Sequence, residues 1–179
     1  MIKYIVFDRD GTLIKHIPYL FEVSKVELLP SVKESIKLLM SRKFKLFLHT
    51  NQSGVARKYF KKKDAINCNL KMLELLDLGG DIFERTCIAT DFPPDNLTYR
   101  KPSPKFGREI IKDYNIKKES LIYIGDSLSD IQAGANIGCK SIAVNTGLKD
   151  INTEILKINN IHNCEVYPSL LEAVESLLD

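Results

Sequence analysis

The stretch that decides the fold is Tyr4-Ile5-Val6-Phe7-Asp8-Arg9-Asp10-Gly11-Thr12-Leu13, close to the N-terminus. Its apolar run from Tyr4 to Phe7 predicts a strand that is buried on both faces. Two carboxylates, Asp8 and Asp10, follow the strand, and a cation or a shared proton must offset their repulsion. Ligands bind at this end of the strands in open α/β sheets, so the stretch predicts a ligand site. Taken alone, Asp-x-Asp-Gly-Thr is equally compatible with an ordinary polar turn.

Length and composition limit the class of protein. The chain has 179 residues, 44% of them hydrophobic, which predicts one domain over residues 1–179. The net charge of +3 gives no general case for nucleic acid or membrane partners, and the one basic run is 57–63. No C-x-x-C pair occurs among the four cysteines, and no apolar run approaches ~20 residues. We therefore expect a soluble, cytoplasmic protein without disulfides, either a monomer or a small homo-oligomer.

Strand-like and helix-like segments alternate along the chain. Strands are predicted at 4–7, 44–48, 82–89, 120–124 and 141–144, and helices at 32–39, 62–78, 103–114, 128–137, 154–158 and 168–178. This alternation predicts an α/β fold with a doubly wound parallel sheet and helices on both faces. No insertion after the first strand is long enough for a separate cap domain. The turn residues of 91–96 predict a loop, and the segment 145–163 is the least defined by its residues.

The polar residues at the predicted strand ends form one set. Asp8 and Asp10 follow the first strand, Thr50 and Asn51 follow the second, and the loop after the third carries Arg100 and Lys101; Asp126 and Asp130 follow the fourth strand. Phosphoryl transfer needs a metal ion to neutralise phosphate oxygens, donors to hold them and a nucleophile in line with the leaving oxygen. The set supplies residues for each of these tasks.

Four motifs resemble those of the haloacid dehalogenase superfamily of phosphatases. They are Phe7-Asp8-Arg9-Asp10-Gly11-Thr12-Leu13, Thr50-Asn51-Gln52-Ser53-Gly54-Val55-Ala56-Arg57, Arg100-Lys101-Pro102-Ser103-Pro104 and Gly125-Asp126-Ser127-Leu128-Ser129-Asp130. The likeness is greatest to the branch that contains D,D-heptose 1,7-bisphosphate phosphatase and the histidinol-phosphate phosphatase domain. It extends from position 5 to about 147 in the order of the family.

The resemblance implies a role for each of these residues. Asp8 would be the nucleophile that forms an aspartyl-phosphate, and Asp10 would protonate the leaving oxygen and then activate water. Asp8, the main-chain carbonyl of Asp10, and Asp126 would bind Mg²⁺. The transferring oxygens would be held by Thr50, the backbone N–H of Asn51, and Lys101, with Asp130 orienting Lys101.

The sequence departs from this branch in one loop. Many members carry a zinc-binding loop of three cysteines and a histidine before the Arg-Lys-Pro motif, whereas here only Cys87 remains, with Ala89, Leu97 and Tyr99 near the other ligand positions. A structural zinc site needs four ligands, so no zinc is expected. We expect Pro93, Pro94 and the packing of Phe92 or Tyr99 to shape the loop instead.

The substrate expected from the resemblance is a small phosphorylated metabolite, with a heptose bisphosphate first and histidinol phosphate as the nearest rival. Arg57 and Arg100 could bind a remote phosphate or a sugar hydroxyl, although Arg57 could equally be a solvated charge at a helix start. A polynucleotide 3′-phosphatase is supported only by the basic run 57–63, so nucleic acid is not the expected partner. A non-catalytic phosphate-binding module would need no acid or base at Asp10.

Overall fold

The computed structural model describes residues 3–94 and 98–178 and contains one six-stranded sheet in which all strands are parallel. The strands are β1 (Tyr4–Phe7), β2 (Lys45–Asn51), β3 (Arg85–Ala89), β4 (Leu121–Gly125), β5 (Lys140–Val144) and β6 (Cys164–Tyr167). The helices are α1 (Val32–Ser41), α2 (Lys62–Leu76), α3 (Lys105–Asp113), α4 (Leu128–Ile137), α5 (Thr153–Ile158) and α6 (Leu170–Leu178). Their spatial order in the sheet is β3-β2-β1-β4-β5-β6, which confirms the expected α/β fold.

The two faces of the sheet carry different helices because side chains along a strand alternate. On one face Ile5 and Phe7 of β1 pack in a cluster with residues of α1, α2 and α6. On the other face Val6 lies with Phe106 of α3 and Ala133 of α4. The sheet is therefore doubly wound, as predicted from the alternating segments.

The sixth strand was missed by sequence analysis. Cys164–Tyr167 pairs only with β5, and within it Glu165 interrupts the apolar residues. An edge strand is covered on fewer sides than a central one, so its sequence carries a weaker apolar signal. The predicted helix 168–178 correspondingly begins later, at Leu170.

The connection between β1 and α1 leaves the carboxyl edge of the sheet open. Its residues form a loop with one short 3₁₀ turn, Val23–Lys25, and no cap domain lies among the described residues there. Within residues 3–94 and 98–178, no helix combines the length and apolar character that crossing a membrane requires.

Candidate active site

The predicted polar residues meet at the carboxyl edge of the three central strands. Phe7 lies opposite Leu48 of β2 and Ile124 of β4, so the residues that follow these positions emerge side by side. The backbone N–H of Asp8 donates to the carbonyl of Ile124 at 2.9 Å, which extends the pairing by one residue. Asp126 follows the last residue of β4 directly.

Lys101 lies at the centre of this group and is only 3% exposed. Its ammonium nitrogen is 2.6 Å from an oxygen of Asp8, 2.5 Å from an oxygen of Asp130 and 2.7 Å from the carbonyl oxygen of His49. The second oxygen of Asp130 accepts from the backbone N–H of Ser127 at 3.0 Å, at the start of α4. Asp130 therefore connects Lys101 to the N-terminus of a helix.

The backbone of Lys101 is fixed by the side chain of Asn51. The Asn51 amide accepts from the Lys101 N–H at 2.9 Å and donates to the Lys101 carbonyl at 3.1 Å. These paired bonds attach the loop before α3 to the end of β2. Sequence analysis expected the backbone of Asn51 to bind phosphate and did not foresee this contact of its side chain.

His49 provides a second attachment of the same loop. Its Nε2 lies 2.8 Å from the carbonyl of Tyr99, and its Nδ1 lies 3.2 Å from the hydroxyl of Tyr123. Burial, assisted by the charge of Lys101, lowers the pKa of His49 to about 3, so the ring is neutral. A carbonyl can only accept, which places the proton on Nε2 and leaves Nδ1 to accept from the tyrosine.

Three carboxylates lie close together around Lys101. Oxygens of Asp8, Asp126 and Asp130 are all within 4.8 Å of one another. Burial raises the pKa of Asp8 well above its ordinary range, with Lys101 opposing the shift and the neighbouring acids adding to it. Burial and Asp130 raise the pKa of Asp126 to about 6.

The unbalanced charge of this cluster fits a divalent cation. One ammonium faces three carboxylates, and a hard cation with oxygen ligands offsets such an excess of negative charge. The chain also approaches Asp126 closely at Gly11 and Gly147, where a β-carbon would collide with the carboxylate. Gly11 has a φ of +86°, which favours glycine on its own account.

Asp10 is held apart from Lys101 by a separate set of donors. Its Oδ2 accepts from Arg9 Nε at 3.0 Å, from Gln52 Nε2 at 2.9 Å and from the hydroxyl of Thr50 at 3.3 Å. Its Oδ1 accepts from Arg9 Nη2 at 3.1 Å. Sequence analysis did not select Arg9 or Gln52, although Arg9 stands between the two predicted acids.

Two arginines share one aromatic ring beside the site. The guanidinium carbon of Arg57 is 3.6 Å from the ring centroid of Phe92, and that of Arg100 is 5.6 Å from it. Arg100 Nη1 is buried without a hydrogen-bond partner among the described residues. Burial lowers the pKa of Arg100, and Arg57 adds to the shift while Asp91 opposes it. Arg57 is exposed, as expected of a solvated charge, and lies in the turns before α2, which begins at Lys62.

The loop before Lys101 is closed by polar contacts in addition to this aromatic packing. Asp91 accepts from the backbone N–H groups of Thr98 at 2.6 Å and Arg100 at 3.2 Å. The hydroxyl of Tyr99 donates to Glu109 at 2.8 Å, and its ring packs against the cluster that contains Phe106. Leu97 lies outside the described residues, and Cys87 is part of β3, where burial raises its pKa to about 11.

Two of the cavities at this edge are lined by Asp10. An inner cavity of about 150 Å³ is lined by Asp8, Asp10, His16, Asn51, Lys101, Asp126, Ser127 and Ser129. An outer cavity of about 350 Å³ shares Asp10, His16 and Asn51 with it and extends to Tyr19 and Phe60. His16 was not selected from the sequence, and its Nδ1 is buried without a hydrogen-bond partner in the described part of the chain.

Comparison with known proteins identifies relatives of the chain. A family model described as HAD-hydrolase-like matches residues 98–173. The D-glycero-beta-D-manno-heptose-1,7-bisphosphate 7-phosphatase of Bordetella bronchiseptica is 32% identical over 148 residues, which are 82% of this chain and 82% of that protein. The histidine biosynthesis bifunctional protein HisB of Campylobacter jejuni is 32% identical over 158 residues, and the match spans 86% of this chain but only 45% of that protein.

A solved structure resembles the whole chain. The D,D-heptose 1,7-bisphosphate phosphatase of B. bronchiseptica, crystallised with magnesium and phosphate, superposes with a TM-score of 0.86 at 28% identity. The superposition covers 99% of this chain and 98% of the other.

Proposed function

The chain belongs to the haloacid dehalogenase-like phosphatases, and we propose that within this family it is a magnesium-dependent phosphomonoesterase whose substrate is a sugar bisphosphate, with D-glycero-D-manno-heptose 1,7-bisphosphate as the leading candidate. The observation that carries the substrate proposal is the pair Arg57 and Arg100 on the ring of Phe92. Two cations on one ring repel each other, and a second phosphate would relieve that repulsion.

The reaction proceeds in two steps on this chain. An oxygen of Asp8 forms a bond to phosphorus while the bond from phosphorus to the leaving oxygen breaks, and that oxygen takes the proton of the Asp10 carboxyl. Asp10, now a carboxylate, accepts a proton from water as the water oxygen attacks the aspartyl-phosphate. Inorganic phosphate and the free Asp8 carboxylate result.

The residues around Asp8 stabilise the charge that moves in these steps. Lys101, held by Asp130 and by the backbone attachment to Asn51, faces the transferring oxygens. The backbone N–H of Asn51 is a further donor for these oxygens, whereas the hydroxyl of Thr50 is fully buried and donates to Asp10. Asp8, the main-chain carbonyl of Asp10, and Asp126 would hold Mg²⁺, which when bound neutralises phosphate oxygens and orients the phosphate.

Histidinol phosphate is a poorer match for the arginine pair. It carries an amine and an imidazole in place of a second phosphate, so it offers no second anion to Arg57 and Arg100. The arginine pair and the charge of the ligand therefore decide between the two candidates.

The test compares Arg100→Ala with its neighbour Lys101→Ala on a heptose bisphosphate and on p-nitrophenyl phosphate. Arg100→Ala should raise KM for the bisphosphate about 10-fold or more and leave the synthetic ester unchanged, since the ester has no second phosphate. Lys101→Ala should lower kcat/KM for both by ~10²-fold or more, on the scale of one preorganised donor. Equal losses on the ester would place Arg100 at the reacting phosphate, and faster turnover of histidinol phosphate by the wild type would reject the bisphosphate.

A further inference from the structure

Arg9 is the largest side chain that the described residues bury completely, with 0% exposure. Burial of a charged group is costly unless partners compensate it. All three guanidinium nitrogens have partners: Nε and Nη2 donate to the carboxylate of Asp10, and Nη1 donates to Asn69 Oδ1 at 2.8 Å and to the carbonyl of Ala65 at 3.3 Å. Arg9 thus links Asp10 to the middle of α2.

The contact with Asp10 is two-pronged. Nε lies 3.0 Å from one carboxylate oxygen and Nη2 lies 3.1 Å from the other, so rotation of the carboxylate would break both bonds. Gln52 and Thr50 donate only to Oδ2 and do not restrain rotation in the same way. A lysine offers a single ammonium and cannot reproduce this planar fork.

We propose that Arg9 is a positioning residue that orients the carboxyl group of Asp10, which in its protonated form transfers a proton to the leaving oxygen. This inference rests on the role of Asp10 in the proposed function. Arg9 has no exposed surface and lines neither cavity, so it acts through Asp10 rather than on the substrate. A small displacement of a proton donor is sufficient to lower a rate by ~10²-fold.

The leaving group separates this role from a merely structural one. p-Nitrophenolate is a stable anion and departs without a proton, whereas phenolate, with a pKa of ~10 for its acid, benefits from protonation. The two aryl phosphates are otherwise alike in shape. The parameter kcat/KM reports the steps up to formation of the aspartyl-phosphate. The later role of Asp10, in activating water, therefore does not affect this parameter.

The experiment measures kcat/KM for phenyl phosphate and for p-nitrophenyl phosphate with the wild type, Arg9→Lys, Asn69→Ala and Asp10→Asn. Arg9→Lys should lose ~10²-fold on phenyl phosphate and less than about 10-fold on p-nitrophenyl phosphate. Asn69→Ala removes the side-chain acceptor of Arg9 Nη1. It should lower kcat/KM by a smaller factor, and again more for phenyl phosphate than for p-nitrophenyl phosphate. It also provides the test if Arg9→Lys does not fold.

Ser141→Ala is the matched control. Ser141 is 1% exposed, and its hydroxyl donates to the carbonyl of Ile131 at 3.1 Å, between β5 and α4 and apart from both cavities. Ser141→Ala should change kcat/KM by the same factor for the two esters. The role of Arg9 would be overturned, and the role of Asp10 left standing, by a result in which Asp10→Asn loses more kcat/KM on phenyl phosphate than on p-nitrophenyl phosphate while Arg9→Lys and Asn69→Ala lose equally on both esters. Equal losses in Asp10→Asn would reject Asp10 as the proton donor, and the present proposal with it.

Discussion

His49 should make the protein less stable as the pH falls, and His49→Gln should remove that effect. The ring has 0% exposure, and its pKa falls from an ordinary 6.5 to about 3 in the folded state. Between these two values the unfolded chain binds a proton that the folded chain does not. Stability contributed by the neutral ring is therefore complete above about pH 6.5 and is lost as the pH falls toward 3.

The size of the effect follows from the same two values. Between pH 7 and pH 5 the unfolded histidine goes from mostly neutral to almost fully protonated, while the folded one stays neutral. One proton over that interval costs about 2 kcal/mol of unfolding free energy. His49→Gln is expected to be less stable than the wild type at pH 7, because it loses the bonds to Tyr99 and Tyr123.

Urea denaturation at pH 7 and pH 5, with a chelator present, measures the difference. Asp8 and Asp126 have raised pKa values in the folded state and act in the opposite direction, gaining stability on acidification. Both proteins contain Asp8 and Asp126. Subtracting the change in unfolding free energy of His49→Gln from that of the wild type therefore removes the contribution of these acids. The wild type should lose about 2 kcal/mol more than His49→Gln between the two pH values. Equal losses would show that His49 is protonated when folded, and the assigned tautomer would be wrong.

Two further predictions concern the acids. Asp8→Asn should abolish turnover, because the amide cannot attack phosphorus. It should not lower the metal-free melting temperature, because it removes a carboxylate that burial disfavours and that Asp130 and Asp126 repel, and these costs exceed the stabilising contact with Lys101; turnover near the wild-type level, or a melting temperature well below that of the wild type, would reject this account. Mg²⁺ should raise the melting temperature more at pH 7.5 than at pH 5.5, because protons compete with the cation below the pKa of about 6 at Asp126. A rise in melting temperature that does not depend on pH would contradict this expectation. Chelation should stop activity without unfolding the chain, and elemental analysis should find no stoichiometric zinc. Tightly held zinc would contradict the absence of a zinc site.

The fold and the meeting of the main acids could be predicted from sequence because both depend on a rule of parallel sheets. Strands that run in one direction bring their carboxyl ends to one edge, so residues after separate strands converge without any knowledge of side-chain packing. Asp8 and Asp126 meet for this reason. Lys101 arrives from the loop after the third strand, so the strand pattern predicts it at the same edge, whereas its role on the transferring oxygens followed from the resemblance.

The contacts that were missed depend on pairs of residues far apart in the chain. Arg9 reaches Asn69 on α2, and Asn51 reaches the backbone of Lys101, across separations that periodicity does not report. The stacking of Arg57 on Phe92 depends on how two loops pass each other. The sequence did contain one indication of the Arg9 contact. An arginine directly after a buried strand needs a carboxylate partner, and Arg9 stands between Asp8 and Asp10.

At the proposed site, Mg²⁺ and phosphate are expected to reinforce each other's binding. Asp8, Asp126 and Asp130 surround a single ammonium, and a phosphate adds further negative charge to the same small cavity. Lys101 is already bound to two carboxylates, so it cannot offset the phosphate alone. A cation that offsets the acids lowers the cost of bringing phosphate in, and by linkage phosphate must tighten the cation by the same factor. The apparent affinity for either one measured alone therefore understates its affinity during turnover.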